Sequence, residues 1–102
     1  MQRQCAIYVR SATGDELAMK KQERVGRGLC EAVGWKYRIF RDKCSGMRRG
    51  AGMKRLLELA RKRKIEHVFV ASLDRLSRDL RQAYAILGLL ESKRIKLWFC
   101  EN

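Results

Sequence analysis

The pattern of hydrophobic and polar residues along the chain predicts alternating strands and helices. Four apolar runs have the length of strands, and the segments between them carry apolar residues every three or four positions, as helices do. The predicted strands are Cys5–Arg10, Trp35–Phe40, His67–Ala71 and Ile95–Cys100. The second alternates apolar with basic residues, which favours a half-exposed strand at or near a sheet edge. Helices between strands imply right-handed crossovers, so the pattern predicts an α/β domain with a mostly parallel four-stranded sheet and helices on both faces.

The helical segments carry their own start and stop signals. Thr13-x-x-Glu16 has the form of a capping box, so Thr13 is predicted to cap the first helix, and Gly34 is predicted to end it. Lys43 to Ala51 shows no period and is predicted to be a mobile basic loop. The residues predicted to face the core are Ala18, Gln22, Val25, Leu29 and Ala32 in the first helix, Met53, Leu56, Leu57 and Ala60 in the second, and Leu80, Ala83, Tyr84, Leu87 and Leu90 in the third.

The composition is typical of a soluble globular protein with one domain, over residues 1–102. Hydrophobic residues make up 46% and charged residues 34% of the chain, enough for one modest core. No apolar run is long enough to span a membrane and no signal-like stretch opens the chain, so we expect a cytoplasmic protein without membrane contact. The four cysteines include no Cys-x-x-Cys pair, and the single histidine has no second ligand at a useful spacing, so no metal site is expected.

The net charge of the chain predicts a class of binding partner. Lys and Arg number 24 against 11 Asp and Glu, which gives a formal net charge of +13. Such a field attracts polyanions, and nucleic acid is the leading candidate. Charge alone does not separate DNA from RNA, and a merely basic, soluble surface has the same composition.

Charged residues follow three of the four predicted strands. Because the carboxyl ends of parallel strands meet at one edge, where open α/β sheets bind ligands, these side chains are expected to converge. Several guanidinium groups there would form a phosphate site, since the planar fork of arginine matches phosphate oxygens. No Walker loop or Gly-x-Gly-x-x-Gly motif is present, and no cofactor is expected. The residues are Arg10 after the first strand, Asp42, Lys43, Arg48 and Arg49 after the second, and Asp74, Arg75 and Arg78 after the third, with Arg75 and Arg78 on one face if that segment is helical.

The order of these motifs resembles the catalytic domain of the serine recombinases, the resolvase and invertase family. The similarity runs over almost the whole chain, and the block Leu73-Asp74-Arg75-Leu76-Ser77-Arg78 is its most specific part. The resemblance implies a resolvase-like, three-layer domain with flavodoxin-like winding of the sheet. The other matching segments are Tyr8-Val9-Arg10, Gln22 in the first helix, Phe40-Arg41-Asp42-Lys43-Cys44-Ser45-Gly46, and Gly52-Met53-x-x-Leu56-Leu57.

The resemblance also implies a chemistry. Members of this family bind DNA as dimers that pair into tetramers, and a serine attacks the scissile phosphodiester to form a 5′-phosphoserine link without a metal. Arginines offset the charge on the pentacoordinate phosphorus. In this chain the charge-stabilising residues would be Arg10, Arg75 and Arg78, the residues that orient them Asp42 and Asp74, and the residues that support the pocket Tyr8 and Gln22.

The chain departs from the family pattern in three places. The family reads Tyr-x-Arg-x-Ser-Thr, whereas this chain has Ala12 at the serine position and Ser11 one residue early. By strand alternation Ser11 points to the opposite face from Arg10, unless a bulge re-aims it. Gly50 stands where the family has an arginine before the second helix, so a loop arginine would have to reach in. The chain stops after the fourth predicted strand, so the long dimerisation helix and the DNA-binding domain of the family are expected to be absent.

Three functions stay open on these grounds. A non-catalytic module that binds DNA or a recombinase partner is favoured by Ala12, Gly50 and the short length. An active recombinase with Ser11 or Thr13 as a shifted nucleophile is favoured by the arginine cluster. A generic basic RNA-binding α/β module is the third, although its aromatic residues do not form a stacking platform. We prefer the first, and a covalent DNA adduct would identify the second. The resemblance implies homodimers or higher oligomers for the full-length family, with weak association or a monomer as the expectation for this short chain.

Overall fold

The computed structural model describes residues 4–11, 15–43 and 50–100. Strands and helices alternate in the predicted order, with one additional short helix after the third strand. The strands are β1 (Gln4–Arg10), β2 (Lys36–Asp42), β3 (His67–Val70) and β4 (Lys96–Phe99). The helices are α1 (Glu16–Val33), α2 (Ala51–Arg61), α3 (Leu73–Leu76) and α4 (Leu80–Ser92).

The four strands form one parallel sheet in the order β2-β1-β3-β4. β1 is central and is buried from Cys5 to Arg10, which explains why its sequence is almost continuously apolar. β2 is an edge strand, as its alternation of basic and apolar residues predicted. The winding direction reverses between β1 and β3, and ligands of open α/β sheets bind at the carboxyl ends of the strands at such a point.

The helices cover both faces of the sheet, so the three-layer α/β prediction is confirmed. On one face α1 packs on Cys5, Ile7 and Val9 of β1. On the other face α2 and α4 enclose a larger core around Tyr8 and Phe40. The two clusters use alternate residues of β1, as the period of two in a strand requires.

The start and the buried face of α1 both differ from the prediction. Asp15, not Thr13, is the N-cap, because its carboxylate accepts hydrogen bonds from the amides of Leu17 at 3.1 Å and Ala18 at 3.2 Å. The predicted inner face is also wrong, since Val25 is 38% and Leu29 is 44% exposed. The face that packs on the sheet is instead shifted by one residue and consists of Met19, Glu23, Gly26 and Cys30.

Close approach to β1 explains this choice of face. A Cβ atom at Gly26 would lie 2.7 Å from Cγ2 of Ile7, so only a residue without a side chain lets the helix pack this tightly. The gain from close packing on the central strand therefore outweighs the exposure of a row of aliphatic side chains. The exposed residues are Leu17, Val25, Leu29 and Val33.

The segment between β3 and α4 contains the short helix α3 but is not helical throughout. α3 ends at Leu76, and Ser77 has extended backbone with φ −168° and ψ 144°. Arg75 and Arg78 therefore do not share a helical face. In α4, Leu80 and Tyr84 are exposed rather than buried, and Ala83, Ile86 and Leu90 form its inner face. Within the described residues no helix is long and apolar enough to cross a membrane.

Candidate functional site

A crevice of about 470 Å³ opens beside the carboxyl ends of β1 and β3. α1 forms one wall through Lys21 and Gln22, and Arg75 contributes from the segment after β3. The floor is apolar and includes Ile7 and Phe69. The sheet reverses its winding direction between these two strands, so the crevice has the position of a ligand site in an open α/β fold.

Arg10 is a buried cation that does not line the crevice itself but is hydrogen-bonded to two residues that do, Gln22 and Arg75. It is only 3% exposed, its Nε donates to the carbonyl oxygen of Arg75 at 3.1 Å, and its Nη2 donates to the carbonyl oxygen of Asp74. Its Nη1 is buried and has no hydrogen-bond partner among the described residues, and none of their carboxylates forms an ion pair with it. Because arginine stays protonated in proteins, the guanidinium keeps its full charge against two neutral carbonyl groups. The position therefore favours an anion.

Asp42 connects the end of β2 to the start of α2. Its buried carboxylate accepts hydrogen bonds from the Tyr8 hydroxyl at 2.7 Å and from the amides of Gly52 at 2.8 Å and Met53 at 2.9 Å. A carboxylate at a helix N-terminus satisfies otherwise unpaired amides and suits the helix dipole. Asp42 thus holds Tyr8 and α2 in place, whereas the resemblance had suggested that it orients the arginines.

The turn after β3 carries the remaining charged residues. The pKa of the Asp74 carboxyl is lowered, first by the hydrogen bond from the Ser72 hydroxyl and then by the positive charges of Arg75 and Arg10. Asp74 meets Arg10 through its carbonyl oxygen, not through its carboxylate. Arg75 is half-buried at the crevice, and Arg78 is exposed between Ser77 and the N-cap of α4.

Two neighbouring residues fix the end of β1. The Gln22 side chain accepts a hydrogen bond from the Arg10 amide at 3.3 Å and donates one to the Arg10 carbonyl at 3.5 Å, so it pairs with the strand backbone. Ser11 is 3% exposed, and its Oγ accepts a hydrogen bond from the Asp15 amide at 2.9 Å. The Ser11 hydroxyl is therefore part of the connection into α1.

Several residues predicted for this site lie outside the described ranges. They are Ala12, Thr13, Arg48 and Arg49. Residues 44–49 of the predicted basic loop also lie outside the described ranges, whereas its first residue, Lys43, forms an ion pair with Glu16 in the first turn of α1. This pair ties the end of β2 to α1.

A second ion pair between α1 and β2 was not predicted from the sequence. Glu23 is buried on the sheet-facing side of α1 and forms an ion pair with the half-exposed Arg41 of β2. Arg41 also lies 4.0 Å from the carboxylate of Glu16. The repeat of Met19, Glu23, Gly26 and Cys30 is the signal that would have found this pair, because it places a carboxylate on the buried face.

Comparison with known proteins places this fold in a family. The family model of the resolvase N-terminal domain matches residues 5–102, so the chain belongs to the resolvase family. A search of the curated proteins found no significant match.

Three solved structures illustrate the shared fold. The C-terminal catalytic domain of ISC1926 TnpA, an IS607-like serine recombinase, has a TM-score of 0.86 and 22% identity, covering 97% of this chain and 70% of that one. The N-terminal catalytic domain of TP901-1 integrase has a TM-score of 0.81 and 25% identity, covering 96% and 78%. A resolvase family site-specific recombinase from Streptococcus pneumoniae has a TM-score of 0.79 and 14% identity, covering 97% and 72%.

Proposed function

We propose that this domain acts in DNA recombination by holding a DNA phosphodiester in an arginine pocket made by Arg10, Arg75 and Arg78. The observation that carries the proposal is the Arg10 guanidinium, which is buried at the carboxyl edge of the sheet with Nη1 unpaired among the described residues. An anion bound there would supply the missing partner of a desolvated charge. The neighbours named serine recombinase and integrase, together with a net charge of +13, support DNA as the source of that anion.

The arrangement suits a phosphodiester because its positive charge is fixed before the ligand arrives. Two carbonyl groups of the α3 turn orient Arg10, and the Gln22 amide fixes the strand end beneath it. Such preorganised donors stabilise charge on phosphate oxygens without reorganisation. Arg75 and Arg78 would add charge from the more exposed side, and the basic loop with Lys43, Arg48 and Arg49 would contact the DNA backbone.

We propose further that the bound DNA is not cleaved by this chain. Ala12 occupies the position where the family pattern has its serine, and alanine has no nucleophilic atom. The alternative nucleophile Ser11 is almost fully buried and uses its Oγ to accept the Asp15 amide hydrogen bond. To attack phosphorus, Ser11 would have to leave this bond and turn to the Arg10 side of the strand. The domain would then serve as a DNA-holding partner of an active recombinase.

Binding by the pocket is tested with charge-matched variants. Fluorescence anisotropy with a labelled duplex should show that Arg75→Gln with Arg78→Gln weakens binding about tenfold and lowers the salt slope by about two. The control removes the same charge from the exposed face of α1 with Arg24→Gln and Arg27→Gln, for which a smaller loss is expected. Equal losses for both pairs would show that the domain binds DNA by its general charge and not by this pocket.

Absence of cleavage is tested by covalent trapping on nicked duplexes, with and without a recombinase partner protein. Denaturing gels and mass spectrometry should show no protein–DNA adduct for the natural chain. Ala12→Ser should gain an adduct if the pocket is intact. An adduct formed by the natural chain and lost in Ser11→Ala or Thr13→Ala would establish a shifted nucleophile and would overturn the non-covalent reading.

A further inference from the structure

We propose that a second surface, at the opposite end of the sheet from the arginine pocket, binds the phosphate backbone of another DNA duplex. The surface is an open groove of about 850 Å³ between the edge strand β2 and the C-terminal half of α2. We call it the basic groove. Its five cations are Lys36, Arg38, Arg55, Lys62 and Lys64.

The groove exists because α2 covers only part of β2. Lys36, Arg38 and Phe40 alternate onto the same face of the strand. α2 packs over Phe40, which is 8% exposed, but leaves Lys36 and Arg38 exposed. The apolar parts of Leu59 and Ile65 form the base between strand and helix.

The cations of the groove have few internal partners. None of the residues that line it is an Asp or Glu. Arg55 pairs with Glu58 at 3.0 Å, on the exposed side of α2. Over residues 4–11, 15–43 and 50–100, the ammonium groups of Lys36, Lys62 and Lys64 form no ion pair. Cations are favoured on an edge strand such as β2 and near the C-terminus of a helix such as α2. Because these two elements are neighbours, their five positive charges surround one groove.

The distance between the two basic surfaces indicates two ligands. In the β1–β2 register, Gln4 pairs with Lys36 at one end and Arg10 pairs with Asp42 at the other. Six residues of strand separate these ends by about 20 Å. The longest dimension of the described part is 37 Å, far below the persistence length of about 500 Å over which DNA stays straight. A duplex whose phosphate reaches the buried Arg10 must lie across the carboxyl edge of the sheet. Because DNA is straight over this distance, the same duplex cannot bend round to the amino edge, so occupation of both surfaces requires two duplexes.

A stoichiometry experiment tests this inference. Analytical ultracentrifugation at low salt, with the intact chain and a fluorescent duplex of about one and a half turns, should show two duplexes bound per protomer at saturation. Sedimentation also gives the oligomeric state. If two protomers share one duplex at their pockets, the groove event is counted as the number of duplexes lost in the groove variant relative to the natural chain. The groove variant Lys36→Gln, Arg38→Gln, Lys62→Gln should bind one duplex, with the affinity for the second weakened about tenfold or more.

The matched control removes three exposed cations from other surfaces, through Arg24→Gln, Arg27→Gln and Arg94→Gln. It should still bind two duplexes. One duplex per protomer for the natural chain, or equal loss of the second duplex in the groove and control variants, would overturn the inference. Circular dichroism should show that each variant folds.

The groove and the arginine pocket can fail separately. The pocket variant Arg75→Gln with Arg78→Gln should lose the duplex bound at the arginine pocket and keep the duplex bound at the basic groove. Loss of binding only in the groove variant would support this inference while contradicting the proposed pocket. The opposite result would retain the pocket and reject the groove.

Discussion

At the scale of single residues, the candidate site contains two buried charged groups, Arg10 and Asp42, that have different hydrogen-bond partners. Arg10 is held by neutral carbonyl groups, whereas Asp42 receives three hydrogen bonds from β1 and α2. Removing a buried acceptor leaves its donors unsatisfied, which costs more than the bonds themselves contribute. We therefore expect substitution of Asp42 to lower stability and, on the proposed function, substitution of Arg10 to weaken ligand binding.

Asp42→Ala is expected to lower the free energy of unfolding by about 2–4 kcal/mol, because the Tyr8 hydroxyl and two α2 amides lose their acceptor. Urea unfolding followed by circular dichroism measures the change. Asp15→Ala, which removes the exposed N-cap of α1, is the control and should cost about 1 kcal/mol. Equal costs would show that the buried carboxylate is not special.

Ser72→Ala is expected to raise the pKa of Asp74 toward its ordinary value, since the Ser72 hydroxyl is the largest cause of the lowered pKa. A carboxyl whose pKa is lower in the folded state stabilises the fold above its unfolded pKa, and this contribution disappears as pH falls through the folded pKa. Loss of the Ser72 bond should therefore flatten the acid side of the stability profile. NMR titration of Asp74 measures the shift, and an unchanged pKa in Ser72→Ala would contradict this cause.

At the scale of secondary-structure elements, close approach decides how helices meet the sheet. A Cβ atom at Gly52 would lie 2.7 Å from the carbonyl oxygen of Arg41, and one at Gly50 would lie 2.2 Å from the Asp42 carboxylate. The N-terminus of α2 thus sits directly against the end of β2. A side chain at Gly50, where the family pattern has an arginine, would displace the carboxylate that caps α2.

Gly52→Ala is expected to destabilise the fold by about 1–3 kcal/mol, because the backbone of β2 cannot yield as a flexible side chain does. Thermal unfolding at fixed pH measures the loss. Gly28→Ala on α1 is the matched control, since nothing lies within 4 Å of its Cβ position, and it should be neutral or stabilising by up to about 1 kcal/mol. If Gly52→Ala is as stable as Gly28→Ala, α2 is free to move away from β2 and the prediction is wrong.

Arg94→Gly is expected to stabilise the fold by about 0.5–1 kcal/mol. Arg94 follows α4 with φ 59°, in the left-handed region where glycine carries no Cβ penalty. Lys93→Gly, one residue earlier at φ −96°, is the control and should destabilise, because glycine there only adds freedom to the unfolded chain. Chemical denaturation compares the two variants, and stabilisation by both would point to a cause other than the backbone angle.

At the scale of the whole molecule, charge and topology act together. The net charge of +13 is spread over a domain whose longest dimension is 37 Å over the described residues, and the arginine pocket and the basic groove lie at opposite ends of the β1–β2 register. If the domain binds DNA as proposed, the charge would supply long-range attraction, while the positions of the strand ends would determine where the phosphates are held.

Binding to duplex DNA is expected to depend steeply on salt. If six or more phosphates are contacted, raising NaCl from about 50 to about 200 mM should weaken binding about 10³-fold. Anisotropy titrations across this range at constant pH give the slope of log K against log salt. A slope below about two in magnitude would contradict a binding mode in which the pocket and the basic loop contact the backbone together.

Much of the fold could be predicted because strand and helix periods are local properties of the chain. The four runs of strand length, the edge character of β2 and the parallel α/β order follow from apolar spacing alone. The strand-end positions of Arg10, Asp42 and Arg75 also follow, since parallel strands place their carboxyl ends together. The sequence by itself therefore determined the architecture and the edge where charged residues converge.

Only the tertiary structure decided which atoms meet at that edge. The buried face of α1 depends on Gly26 fitting against Ile7, and the bonds of Asp42 to α2 depend on how closely that helix approaches β2. Arg10 binds carbonyl groups of a turn 64 and 65 residues away, which no local pattern encodes. Close packing and buried hydrogen bonding join residues distant in sequence, so these contacts emerge only when the whole domain is folded.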